Sequence, residues 1–193
     1  MLFVQLHSIL YPCDAVSAER LVHLASQTSG VKYIRLTRPK TLVVYNNKDT
    51  FELGDFKILR QSRNDKAVVV CAGITVSESL KAYERLSHDG IDIAVVDCFC
   101  VKPFDGKKFV DLVRKSGRRI IIAEDHYKEG GIGEMIMAEC VGNDFEIEHL
   151  CVREIPHSGS KDKLLEVYGI NERAISRAVR KLCKLNYSLV SCN

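Results

Sequence analysis

None of the eight cysteines, at positions 13, 71, 98, 100, 140, 151, 183 and 192, forms a Cys-x-x-Cys pair. The common zinc and thiol-redox spacings are therefore absent. Several cysteines fall inside expected strands, where a free thiol is a small apolar side chain. Reduced thiols in a cytoplasmic protein follow from that usage. Cys98 and Cys100 are two apart on an expected strand and so share a face. A soft-metal pair there would lack partners at usable spacing. No stretch approaches a membrane span, and the opening Met1 to His7 run is too short and insufficiently basic for a signal peptide. No membrane partner is expected. Neither sign of charge dominates: 28 basic against 25 acidic side chains leave +3, and signs alternate closely, as in Lys161-Asp162-Lys163. A nucleic-acid binder concentrates its positive charge, so no nucleic-acid partner is expected. A Ser-His-Asp constellation also lacks context, and Cys71 could meet His88 or His126 only by courtesy of the fold.

What the sequence holds is a core and a rhythm. Hydrophobic residues make up 46% of 193 positions, enough for one large domain or a domain with a substantial extra piece. Ala67 to Ala72 is a continuous apolar run suited to an interior parallel strand. Thr75-Val-Ser-Glu78 has the form of a capping box opening a helix to Leu86. A strand over Ile91 to Phe99 follows, then a helix capped by Asp105 and running to about Ser116. Ile120 to Glu124 reads as a strand, 132–140 as a helix, and Phe145 to Val152 as an alternating edge strand. A short helix at 164–167 and a last one, capped by Asn171 and reaching Leu185, close the chain. The fold class expected is α/β, a three-layer α/β/α domain.

The first 50 residues differ. A loop at Tyr11-Pro-Cys-Asp14 precedes a helix over Ser17 to Ala25, a strand over Lys32 to Leu36, and an extended piece over Thr41 to Tyr45. That is too little for a two-faced sheet, and nothing precedes the helix for it to pack on. Residues 46–66 read as a polar linker with a short extended insert. The opening segment has the character of the tail of another domain.

Three groups of residues could carry chemistry. Gly130-Gly131-Ile132-Gly133 could cradle an anion at a helix start, although Glu124, Asp125 and Glu129 would repel it and the Gly-x-Gly-x-x-Gly spacing is missing. A tight structural passage or a partner-facing turn are the alternatives. Glu124, Asp125 and His126 could hold a hard metal or transfer protons, but strand neighbours point to opposite faces and converge only where the backbone turns. Hydrogen bonding that fixes the turn is the plainer role for at least one carboxylate. His149 and His157 read as structural or surface residues. Arg35 and Arg38 end a strand, and Pro39 stiffens the exit. A guanidinium held there suits bidentate capture of phosphate or carboxylate; surface charge is the alternative, and at most one of the two need be an anchor.

Taken together, several segments resemble the C-terminal end of transketolase, in the animal enzymes and their transketolase-like relatives. They are Tyr11-Pro-Cys-Asp14, Ile34-Arg-Leu-Thr-Arg-Pro39, Tyr45-Asn-Asn47, Cys71-Ala-Gly-Ile-Thr75, Val101-Lys-Pro-Phe-Asp105, Ala123-Glu-Asp-His-Tyr127, Glu129-Gly-Gly-Ile-Gly-Glu134 and Tyr168-Gly-Ile170. They occur in the family's order across nearly the whole chain.

The resemblance implies that residues 1–50 are the last part of a pyrimidine-binding domain, 51–66 a linker, and 67–193 a C-terminal domain with a mostly parallel five-stranded sheet. It implies transfer of two-carbon ketol units between sugar phosphates by a homodimer using thiamine diphosphate and Mg or Ca. Arg38 matches the family's substrate-phosphate arginine; Arg35 does not. Departures are large: the diphosphate-binding segment, the metal-binding asparagine, the activating glutamate and the upstream histidines have no counterpart here. No cofactor, metal or catalytic residue is expected of this chain alone, which is expected to be inactive. Self-association, or a transketolase-like subunit as partner, is implied. Two other classes stand beside this: a non-catalytic interaction or regulatory subunit, and a small anion- or nucleotide-binding α/β protein.

Overall fold

A computed structural model describes residues 8–184. In chain order the elements are β1 (Ser8–Leu10), α1 (Ala15–Gln27), β2 (Lys32–Ile34), β3 (Lys57–Arg60), β4 (Val68–Cys71), α2 (Ile74–His88) and β5 (Ala94–Asp97). They continue with β6 (Cys100–Lys102), α3 (Gly106–Lys115), β7 (Arg119–Tyr127), α4 (Ile132–Glu139), β8 (Glu146–Val152), α5 (Lys161–Val167) and α6 (Glu172–Leu182).

The main sheet has the order β3-β5-β4-β7-β8, with β3 antiparallel to β5 and every other pair parallel. The Val-Val-Val-Cys run of β4 is buried on both faces because it lies between β5 and β7. Its residues alternate between two cores. Val69, Val95 and Ile121 face α2 and α6 through Val76, Leu86, Ile175 and Val179. Val68, Val70, Ile120 and Ile122 face α3 and α4 through Phe109, Leu112 and Ile136. This is the three-layer α/β/α architecture that the strand–helix rhythm predicts, with the mostly parallel five-stranded sheet that the resemblance implies. Each fully buried Ile or Val contributes about 1.5–3 kcal/mol over an exposed one. β8 is an edge strand, as its alternation implies, with Glu146 exposed and 3.6 Å from Arg119 Nε.

Asp105 and Asn171 cap α3 and α6 as expected, accepting from Lys108 N and Ala174 N. α6 ends at Leu182, and its expected terminus Leu185 lies outside the described residues. The capping box at Thr75 to Glu78 is not formed. The Thr75 hydroxyl donates to Ala123 O at 2.8 Å, tying the exit of β4 to β7, and Glu78 accepts from Glu172 N and Lys81. Gly73 occupies the N-cap instead, at φ 55, with no side-chain cap. Glycine is required there twice over: by that backbone angle, and because a Cβ would overlap the Tyr11 ring.

A second, three-stranded sheet has the order β2-β1-β6. It corrects the view that nothing precedes the first helix. β1 does, and with α1 and β2 it makes a parallel β-α-β unit. Thr41 to Tyr45 joins no sheet. It is held as an irregular segment by Asp14, whose Oδ2 accepts from Val44 N and Tyr45 N at 2.7 and 2.9 Å. The stretch 51–66, read as a linker with an extended insert, supplies that insert as β3, the far edge of the main sheet.

Candidate functional site

Strand β7 runs past Glu124 to Tyr127, so Glu124 and Asp125 leave it on opposite sides. Glu124 is 2% exposed. Its oxygens accept from Ile132 N at 2.7 Å and Gly133 N at 2.9 Å, and His149 Nε2 lies 2.6 Å from Oε1. The amino end of α4 therefore already holds an anion, the chain's own carboxylate. The glycines make room for it. A Cβ on Gly131 would overlap the Glu124 carboxylate, and one on Gly133 would overlap the His149 ring. Just ahead of the helix, Glu134 accepts from Gly130 N at 2.8 Å. The reading of this turn as an external anion cradle fails on that geometry, and hydrogen bonding by a carboxylate that fixes the turn is what is found. His149 is structural, as expected.

On the opposite side, Asp125 accepts from the Tyr11 hydroxyl at 2.9 Å and from Arg35 Nη2 at 2.8 Å. The same Nη2 reaches Asp125 O at 2.9 Å, and the guanidinium lies 4.5 Å from the Tyr11 ring centroid. Burial raises the Asp125 pKa above its ordinary value against the pull of Arg35 and Tyr11. Burial likewise pushes the Tyr11 hydroxyl up, and the charge of Asp125 adds to it. This triad fastens the segment containing β1 and β2 to the end of β7.

Arg35 and Arg38 thus have different fates. Arg35 is committed to Asp125, whereas Arg38 is exposed and makes no hydrogen bond or ion pair among the described residues. Pro39 follows it. His126 places Nδ1 3.0 Å from Tyr127 O, and His157 is exposed. Glu124, Asp125 and His126 do not converge. Among the described residues no three His, Cys, Asp or Glu side chains could share a metal ion.

The expected common face of Cys98 and Cys100 is not found. Cys98 joins the core of α3 and α4, and Cys100 the core of α2 and α6, because the chain turns between β5 and β6. Their thiol pKa values are raised by burial. Cys71 donates to Val96 O at 3.3 Å and its thiol is pushed up by burial, so it is no nucleophile.

One buried polar seam is not visible as a site in the sequence. Asp97 is fully buried and accepts the Tyr45 hydroxyl at 2.7 Å through Oδ2, while Oδ1 has no partner among the described residues. Burial pushes its carboxyl up to about 7, against the hydrogen bonds of Tyr45 and Cys13. The only signal was an acid closing an apolar run, Ile93-Ala-Val-Val-Asp97. The seam lies where the 8–51 segment meets β5.

Comparison with known proteins places these residues in context. A family model described as the C-terminal domain of transketolase matches residues 54–175. Transketolase-like protein 2 of Mus musculus is 44% identical over 174 residues, covering 90% of this chain and 28% of that protein. Transketolase-like protein 1 of Bos taurus is 44% identical over 176 residues, covering 91% and 30%. Transketolase of Homo sapiens is 41% identical over 176 residues, covering 91% and 28%. The chain spans less than a third of the length of these relatives. A solved structure described as a split gene transketolase, inactive beta4 tetramer, superposes with a TM-score of 0.83 at 28% identity, covering 92% of this chain and 57% of that one.

Proposed function

The chain belongs to the transketolase C-terminal domain family, and from that premise we propose that it is the C-terminal part of a thiamine diphosphate-dependent enzyme moving two-carbon ketol units between sugar phosphates. Residues 1–50 then complete a pyrimidine-binding domain, and 67–193, together with the β3 edge strand of the intervening 51–66 stretch, form the C-terminal domain. A reducing, cytoplasmic setting belongs to the same proposal. In the complete enzyme the cofactor, with Mg or Ca, supplies the carbanion that carries the ketol unit. The described residues do not fit a diphosphate and its metal: the glycine-flanked amino end of α4 is closed by Glu124. The cofactor's chemistry therefore belongs to other parts of the assembly, and the polypeptide by itself is inactive.

What this chain contributes is Arg38. The observation that carries the reading is the division between the two arginines that follow β2, Arg35 directly after it and Arg38 in the bend beyond. Arg35 is spent on Asp125, which anchors the strand exit, and Arg38, three residues on and before Pro39, is left with its guanidinium free. An exposed guanidinium three residues beyond the Arg35–Asp125 anchor suits a phosphate dianion, which it can hold bidentately while the reacting carbons lie elsewhere. In an active assembly containing this chain, Arg38→Ala lowers kcat/KM for phosphorylated sugars about ten- to a hundredfold more than for free sugars. Equal loss for both overturns the assignment. Ketol transfer by the purified 193-residue polypeptide with thiamine diphosphate and magnesium would overturn its inactivity.

A second reading, a non-catalytic interaction subunit, is favoured by a separate observation. Leu36, Leu42 and Val43 are 64%, 66% and 68% exposed, and β2 beside them is the edge of its sheet with Val31 and Tyr33 also exposed. Exposed apolar side chains beside an open strand edge suit a partner that supplies a further strand. The partner is another copy or a transketolase-like subunit, in keeping with the inactive beta4 tetramer of the split gene transketolase. Light scattering tests this: a monomer at micromolar concentration, unchanged by a transketolase-like subunit, removes the reading.

A further inference from the structure

The chain passes from β4 to β5 on one side of the sheet and then crosses to β7 on the other. The switch point therefore lies between the carboxyl ends of β4 and β7. Open α/β sheets take small ligands in that crevice. Here Tyr11 packs on Gly73 and bonds Asp125, filling the part nearest the strands. Beside it remains a cavity of about 520 Å³, bounded by Ile74 after β4, Asp125 at the end of β7, and Leu164, Leu165 and Ile170 from α5 and its exit. That volume is in the range of small-molecule sites.

Its polar groups are unequal in sign. Arg35 and Asp125 line it as an ion pair. Arg35 spends only Nη2 on Asp125, so Nε and Nη1 keep their donors free among the described residues. Lys161, the first residue of α5, is half-buried on the cavity and has no ion pair among the described residues. The wall is largely apolar, with His126, Tyr127 and Tyr168 as its further polar side chains, and Lys161 is its one cation without an acidic partner among the described residues. A cation would compete with Arg35, which already neutralises Asp125, and would be repelled by Lys161. A neutral apolar molecule would leave Lys161 half-desolvated without a partner.

We propose that this cavity binds a small anion with an apolar body. Its carboxylate or phosphate head is received by Lys161 and the unused donors of Arg35, and its hydrocarbon body lies against Ile74, Leu164 and Leu165. Arg38 does not line the cavity, although its neighbour Pro39 does, and the proposal does not depend on ketol transfer.

The test uses the full chain with its Ile, Leu and Val methyl groups labelled, titrated with octanoate, octyl phosphate, 1-octanol and acetate and read by NMR. Octanoate or octyl phosphate shifts the Ile74, Leu164 and Leu165 methyls saturably, and the tighter of the two identifies the head group. Octanol and acetate bind at least about tenfold more weakly. Lys161→Ala, on a half-buried helix-end residue that leaves the fold intact, weakens the octyl anions about tenfold and leaves octanol unchanged. Octanol binding as tightly as the anions, shifts confined to Leu36, Leu42 and Val43, or anion affinity unchanged in Lys161→Ala would each overturn the proposal.

Discussion

Replacing Glu124 by alanine is the sharpest test of how the acidic glycine turn works. The substitution removes an acceptor that is 2% exposed and serves Ile132 N, Gly133 N and His149 Nε2. Each deprived backbone donor costs about 1–3 kcal/mol, and a bond to a charged group is worth about 1.5–3 kcal/mol. Water entering the vacated space recovers part of this. The anionic charge at the helix start adds up to about 1 kcal/mol. A net loss of about 4 kcal/mol is expected, in line with breaking other buried pairs. With a urea dependence of about 2 kcal/mol per M, that moves the midpoint of unfolding by about 2 M. A domain of ordinary stability, about 5–15 kcal/mol, still folds.

The same variant opens the seat to an outside anion. Sulfate then stabilises Glu124→Ala by mass action while leaving the parent unchanged. A loss below about 1 kcal/mol would refute the saturation argument. An equal response of both proteins to sulfate would refute the claim that the carboxylate is the resident anion.

Gly133→Ala places a Cβ against the His149 ring and costs about 1–3 kcal/mol in thermal unfolding; His149→Ala in the same chain relieves the clash, so strict additivity of the two changes would contradict it. Asp97 gives a pH signature. Its folded carboxyl is pushed up to about 7 by burial, above the unfolded value of about 3.9. Between those values the folded chain binds the extra proton, so this group removes stability as pH rises, by up to about 1.4 kcal/mol per unit. Asp97→Asn keeps an acceptor for Tyr45 and abolishes that slope. Its stability relative to the parent grows from about pH 4 to about pH 7 and then levels, and parallel curves for the two in urea titrations would sink the assignment.

The main sheet was legible because its strands are extreme cases. Val68 to Cys71 and Ile120 to Ala123 are apolar at every position since both faces are covered by helices, and their shortness and β-branched composition separate them from buried helix segments. β1 and β6 were not legible. Three residues of Ser8-Ile9-Leu10 establish no period, and Cys100 to Lys102 continues directly from an apolar run that reads as one strand. The bend between β5 and β6 puts Cys98 and Cys100 into different cores, which sequence spacing alone cannot show. The partnership of Glu124 with His149 depends on parallel register, in which Ile122 lies opposite His149. Residues 25 apart acquire that relation only from strand pairing. Arg35 is similar: its partner is 90 residues away, and only the fold distinguishes it from the free Arg38.

Two positions in this domain would ordinarily receive a ligand, the amino end of a glycine-flanked helix and the crevice at the switch point. The chain fills both from within. Glu124 takes the first, held in place by His149 from the edge strand. Tyr11 takes much of the second, fixed by Arg35 and Asp125. These occupants come from different layers, so each ties two parts of the molecule together: β7 to β8 and α4 in one case, the β1–β2 segment to the main sheet in the other. A carboxylate buried among donors is costly unless every donor is aimed. The close geometry demanded by such saturation, with glycines that admit no Cβ, makes these residues rigid positioning elements. The role proposed for Arg38 requires such rigidity, because a phosphate would have to be held at a fixed distance from chemistry supplied by another part of the assembly. The acidic glycine turn and the arginine at the strand exit are then joined through one strand, β7: Glu124 locks its carboxyl end and Asp125 passes that constraint to Arg35, three residues before the free guanidinium.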